Sequence, residues 1–95
     1  MKKTNYTIIV TGKVQGVWFR KYTKEKADKL GIKGFVQNEL EGTVFISAEG
    51  TEKVLEKFIK WLHIGSPLAR VREVTYNNCI DFQGHTEFEI RKTTT

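Results

Sequence analysis

Residues 12 to 20 read GKVQGVWFR: two glycines bracket a lone polar Gln15, and Arg20 closes an apolar trio of Val17, Trp18 and Phe19. These residue types suit an oxyanion. Glycine leaves the main chain bare, so a ligand can approach its amides closely. Arg20 brings a permanently charged planar fork that meets phosphoryl oxygens two at a time. If a helix starts here, its first unpaired N–H groups converge on the same point, with Gln15 and Gly16 directly before it. Such a set binds a phosphoryl group. The same letters also describe a turn followed by an ordinary surface charge, and this stretch alone leaves both readings open.

The other reactive side chains form no comparable group. His63 and His85 are far apart, with no metal-site spacing. Glu39 and Glu41 flank a turn and read as solubilising charges. Cys79 is the only cysteine, so no internal disulfide can form and nothing calls for an oxidising compartment. Without an evident histidine partner it reads as a bystander thiol rather than a nucleophile.

The elements that must position the loop follow from periodicity. Tyr6, Ile8 and Val10 alternate with Thr7, Ile9 and Thr11, a strand buried on one face and ended by Gly12. Phe19, Thr23, Ala27 and Leu30 fall at helical spacing in an otherwise Lys- and Glu-rich stretch that Gly31 stops. Residues 35 to 38 and 43 to 48 flank a polar turn closed by Gly42, which predicts a hairpin. Residues 51 to 63 place Val54, Leu55, Phe58, Ile59 and Leu62 on one stripe, with Thr51 as N-cap, and Gly65, Ser66 and Pro67 end that helix. Further strands are predicted around Val71, Val74 and Tyr76, and around Phe88 and Ile90. The order is β-α-β-β-α-β with a short last strand. Two amphipathic helices sharing one face of a mainly antiparallel sheet of four or five strands give a ferredoxin-like α+β sandwich.

With 95 residues the chain is read as one domain, 1–95. The 16 Lys and Arg against 11 Asp and Glu give a net charge of +5, spread without a polybasic run, which attracts anions in general. The apolar stretch before Gly12 is far short of a signal or membrane segment, and the reading is a cytoplasmic protein.

A second segment settles what the loop alone leaves open. GKVQGVWFR resembles the G-x-V-Q-G-V-x-F-R phosphate loop of the acylphosphatase family at every fixed position, and GFVQNELEGTV, residues 34 to 44, resembles that family's G-[WF]-V-x-N-x-x-[DE]-G-x-V motif. GSPLARV is similar to a third segment, so the resemblance covers nearly the whole chain. It implies hydrolysis of a carboxyl phosphate to a carboxylate and inorganic phosphate, with no metal and no cofactor. Carried onto this chain, the resemblance implies that Arg20 binds the phosphoryl oxygens together with the main-chain amides of Gln15, Gly16, Val17, Trp18, Phe19 and Arg20, and that Asn38 positions the attacking water. Phe35, Gln37 and Glu41 stand where relatives commonly have tryptophan, arginine and aspartate.

This chemistry demands little. The leaving carboxylate has a conjugate acid that titrates near ~4, so it departs without a general acid. Positioning and charge stabilisation remain, which dominate phosphoryl transfer. The expected partners are a small acyl phosphate and inorganic phosphate, with neither nucleic acid nor membrane, and the expected state is a monomer. The alternative is a ferredoxin-like module that binds RNA or a small anion without catalysis. KGFVQNEL begins like an RNA-recognition strand at Lys33, Gly34 and Phe35, then departs from it at Val36, Gln37 and Asn38.

Overall fold

Along β1 (Lys3–Lys13) the alternation acts as expected: Tyr6, Ile8 and Val10 are buried while Ile9 is exposed. The computed structural model describes residues 2–79 and 82–92; the expected domain, 1–95, also takes in positions outside them. After β1 come α1 (Phe19–Leu30), β2 (Lys33–Asn38), β3 (Val44–Thr51), α2 (Glu52–Leu62), β4 (Arg70–Cys79) and β5 (Phe88–Arg91).

The sheet order is β4-β1-β3-β2-β5, antiparallel except where β5 runs parallel to β2. Register aligns Val36 with Ile46 and Ile46 with Ile8, a row of fully buried branched side chains across three strands. Both helices cover this face. α1 lies on β2 and β5, α2 lies across β1, β3 and β4, and the helices touch each other. Phe19 and Ala27 from α1 meet Leu55, Phe58, Ile59 and Leu62 from α2 in one core, and Phe88 joins edge-on to Phe58. The ferredoxin-like sandwich read from periodicity is the observed architecture.

The boundaries have local causes. Gly31 takes a left-handed conformation, φ 73°, and the chain closes the helix with Gly31 N–H on Asp28 O and Ile32 N–H on Ala27 O. Thr51 ends β3 and caps α2 at once, its Oγ1 accepting from Val54 N at 3.4 Å, with Glu52 in the first turn. One expectation is corrected. Gly12 does not end β1 but sits at a bulge, after which pairing with β4 resumes at Gly12–Val71 and Lys13–Arg70. A Cβ there would lie 2.2 Å from Arg70 O, so the strand can continue past that point only as glycine.

Candidate active site

The segment between β1 and α1 is held from three sides. Val14 and Val17 are nearly fully buried and join the main core. Gln15, between them, donates its Nε2 to the carbonyls of Glu39 and Thr43, each at 2.8 Å. Ser66, beyond α2, donates its hydroxyl to Val17 O at 2.7 Å in a buried contact. The apolar-polar-apolar order thus turns two side chains inward and one toward the β2–β3 turn, which fixes the path of the backbone.

That path leaves donors unused. Gly16 and Trp18 both adopt left-handed backbone angles, φ 73° and 63°. For tryptophan this costs about 1–2 kcal/mol, because its Cβ crowds the following carbonyl. The amides of residues 15 to 20 make no backbone hydrogen bond among the described residues. Trp18 is the N-cap of α1 but offers no side-chain cap, and no acidic residue stands in the first turn. The contrast with α2, capped by Thr51 and carrying its own carboxylate, Glu52, in the first turn, is direct. One helix start is satisfied by the protein's own groups; the other leaves its positive end open for an outside anion.

Arg20 and Asn38 meet at this open end. Both line a cleft of about 400 Å³ together with Val14, Gly16, Trp18, Phe19, Lys21 and Ile90. Arg20, on the first turn of α1, is half-buried, and its Nη1 donates to Arg91 O at 3.0 Å; its other N–H groups have no partner among the described residues. Asn38 is the last residue of β2, immediately before the turn that Gln15 grips. Its Oδ1 is buried and lacks a hydrogen-bond partner, one of two such side-chain atoms among the described residues, the other being Thr23 Oγ1. An orphaned buried acceptor costs about 1–3 kcal/mol, which a water donating to it would recover. The cleft therefore gathers a cation, the loop residues Gly16, Trp18 and Phe19 with unpaired amides, and one unpaired acceptor, the parts for holding a tetrahedral anion beside a water; Gln15 and Val17 do not line it.

The sequence model of the Acylphosphatase family matches residues 6–90. The chain belongs to the acylphosphatase family. It is 42% identical over 85 residues to an acylphosphatase of Bacillus licheniformis, covering 90% of this chain and 94% of that one. It is also 42% identical over 86 residues to acylphosphatase-1 of Gallus gallus, covering 87% of each. The crystal structure of acylphosphatase from Bacillus subtilis superposes with a TM-score of 0.91 at 38% identity, covering 95% of this chain and 99% of that one.

The departures from the acylphosphatase pattern lie beside the cleft and stay off its lining. Gln37 donates to Glu39 Oε1 at 3.3 Å, and Glu41 accepts from Thr43 Oγ1 at 3.2 Å, so both serve the turn. Phe35 faces the other side of the sheet, 5.9 Å from the Phe45 ring centre and 5.8 Å from that of His85. There Arg91 covers it, the guanidinium carbon 3.7 Å from its centre. Phe35 is the aromatic on which an RNA-recognition module would stack a base, and in this acylphosphatase-family chain the stack is already taken. The RNA-binding alternative is not favoured.

Periodicity missed the polar side of the sheet. Glu49 is 2% exposed and accepts from Asn5 Nδ2 at 2.9 Å, from His85 N at 2.8 Å and from Gln83 N, while Asn5 Nδ2 also reaches Ser47 Oγ. Burial pushes its carboxyl up, but the hydrogen bonds and nearby His85 outweigh this and hold it below the usual carboxylate range. Glu49 follows the strand alternation like any solvent-facing residue, so only the returning loop, residues 82 to 87, distinguishes it. Among the described residues no group of three or more His, Cys, Asp or Glu is placed to hold a metal ion, and no helix is long and apolar enough to cross a membrane.

Proposed function

We propose that the chain hydrolyses small acyl phosphates to a carboxylate and inorganic phosphate in the cleft of Arg20 and Asn38. Family membership supports the reaction. The observation that carries the site is that Arg20 and Asn38, 18 positions apart in sequence, line one cleft whose loop amides are unpaired. In this reading the phosphoryl oxygens take the amides of Gln15, Gly16, Val17, Trp18, Phe19 and Arg20 and the free edge of the Arg20 guanidinium. Asn38 Oδ1 accepts one hydrogen bond from a water and aims its oxygen at phosphorus. A new P–O bond forms as the bond to the acyl oxygen breaks, the carboxylate leaves with the electron pair, and the water's proton passes to a phosphoryl oxygen.

Among the described residues no histidine or carboxylate lines the cleft, so the rate should be nearly flat from about pH 5 to 8 apart from substrate ionisation. Two charge-assisted hydrogen bonds from Arg20 are together worth about 3–6 kcal/mol, or about two to four orders of magnitude in rate. The leaving carboxylate needs no acid, which supports a reaction without metal or cofactor. The single cysteine and modest positive charge support a cytoplasmic monomer, and the unit 1–95 is read as one catalytic domain.

The test is hydrolysis of an aromatic acyl phosphate, followed by ultraviolet absorbance with chelator present, for the parent and Arg20→Gln. Chelator-resistant turnover that disappears in the variant is expected. A folded parent without turnover refutes the reading.

A further inference from the structure

We propose that Arg91 is a positioning residue for Arg20, acting from the opposite face of the sheet. This rests on the reading of Arg20 as the phosphoryl anchor.

Strand β5 is four residues long, lies at the sheet edge and pairs only with β2, where Arg91 stands opposite Gln37. A strand end this short frays unless something pins it. Arg91 supplies the pin and the hold together. Its guanidinium carbon lies over the Phe35 ring, 3.7 Å from the centre, and its Nη2 is 3.9 Å from Glu89 Oε1. Its carbonyl, at the end of the strand so anchored, accepts from Arg20 Nη1 at 3.0 Å. The preceding residue, Ile90, lines the cleft, so β5 contributes to its wall.

A free arginine side chain samples many rotamers and gives up that freedom when it grips a ligand. With one N–H already committed to a fixed carbonyl, the plane of the fork is set before the ligand arrives. The remaining donors then face the cleft in a constant orientation. Phe35 enters this chain of contacts as the surface on which Arg91 rests. The sequence pattern marks it as a replacement for tryptophan and as a base-stacking candidate, and neither reading points to Arg91.

The experiment compares Arg91→Ala, which removes the pin, Phe35→Leu, which removes its seat but keeps the Arg91 charge, and Phe35→Trp, which keeps an aromatic ring as the conservative rescue. Competitive inhibition by inorganic phosphate, the nitrogen and proton resonances of the Arg20 guanidinium, and circular dichroism are measured for each. Arg91→Ala and Phe35→Leu are each expected to weaken phosphate inhibition about three- to tenfold with native dichroism, because rotamer freedom must then be lost on binding. They should have no larger effect together, and none in an Arg20→Lys background. The Arg20 guanidinium should rotate slowly in the parent and Phe35→Trp, and freely in the other two.

Weakened inhibition in Arg91→Ala but not in Phe35→Leu would show that Arg91 acts through its own charge, and would overturn the proposal. Unchanged inhibition and unchanged Arg20 resonances in both would overturn it as well. If the parent itself is not inhibited by phosphate, the anchor reading fails instead, and the Arg20 resonances still report whether Arg91 holds that side chain.

Discussion

The side-chain Nε2 of Gln15 donates to the carbonyl of Glu39 at 2.8 Å, one residue beyond Asn38. Through this bond and its twin to Thr43 O, the loop that carries the unpaired amides and the strand end that carries Asn38 become one body. Both carbonyls keep a second, backbone donor, Gly42 N and Glu39 N, so Gln15→Ala forfeits two hydrogen bonds without orphaning an acceptor. The expected loss is about 1–3 kcal/mol, with Tm falling about 4–8 °C for each kcal/mol in a domain this small. Gln15→Glu should be worse than alanine, because it sets a carboxylate against two carbonyl oxygens. Thermal unfolding of the two variants decides the order.

Asn38→Ala should lower kcat about 10²- to 10³-fold, the scale on which removal of one well-placed hydrogen-bonding group acts. Inorganic phosphate should still inhibit it, since the amides and Arg20 are intact. If inhibition disappears together with turnover, Asn38 is part of the scaffold and does not position water.

The two helix starts should answer differently to added ligand. Thr51→Ala removes the cap of α2, costs about 1 kcal/mol and leaves kcat/KM unchanged. At α1 the missing cap is supplied from solution: phosphate at 100 times its Kd should stabilise the parent by about 2.7 kcal/mol and Arg20→Gln far less. Melting curves with and without phosphate measure both effects.

Glu49 makes stability depend on pH. Its carboxyl titrates lower in the folded chain than when unfolded, so its contribution is complete above the ordinary glutamate value of about 4.3 and is lost as pH falls through the folded value. Glu49→Gln should be less stable than the parent at pH 7, because an amide gives the N–H groups of Gln83 and His85 a weaker acceptor. Its stability should also change less between about pH 5 and 3. Urea midpoints across that range, measured for both proteins, provide the check, and parallel pH curves would exclude Glu49 as the titrating group.

Much of this fold is legible in the sequence. The alternation of Tyr6, Ile8 and Val10 and the stripe of Leu55, Phe58 and Leu62 dictated which faces are buried, because apolar burial acts on periods that the chain displays openly. Gly31 and Thr51 announced their caps for equally local reasons. Two motifs single out Arg20 and Asn38, and the fold adds that they line the same cleft. What stayed hidden were contacts that depend on pairing across the sheet. Gly12 looked like a stop because the approach of Arg70 O belongs to β4. Gln15 read as a contributor of main-chain amide, and its side-chain role needed the position of the hairpin turn. Arg91 is one of 16 positive residues in sequence, and nothing local marks the one whose carbonyl reaches Arg20.

Val14 and Val17 belong both to the loop that floors the cleft and to the core shared by sheet and helices. The loop therefore has no hinge of its own and cannot melt while the rest of the chain stays folded. Catalytic assay then becomes a folding assay: turnover during chemical denaturation should trace the same curve as loss of helix signal, with no inactive native-like species between the two.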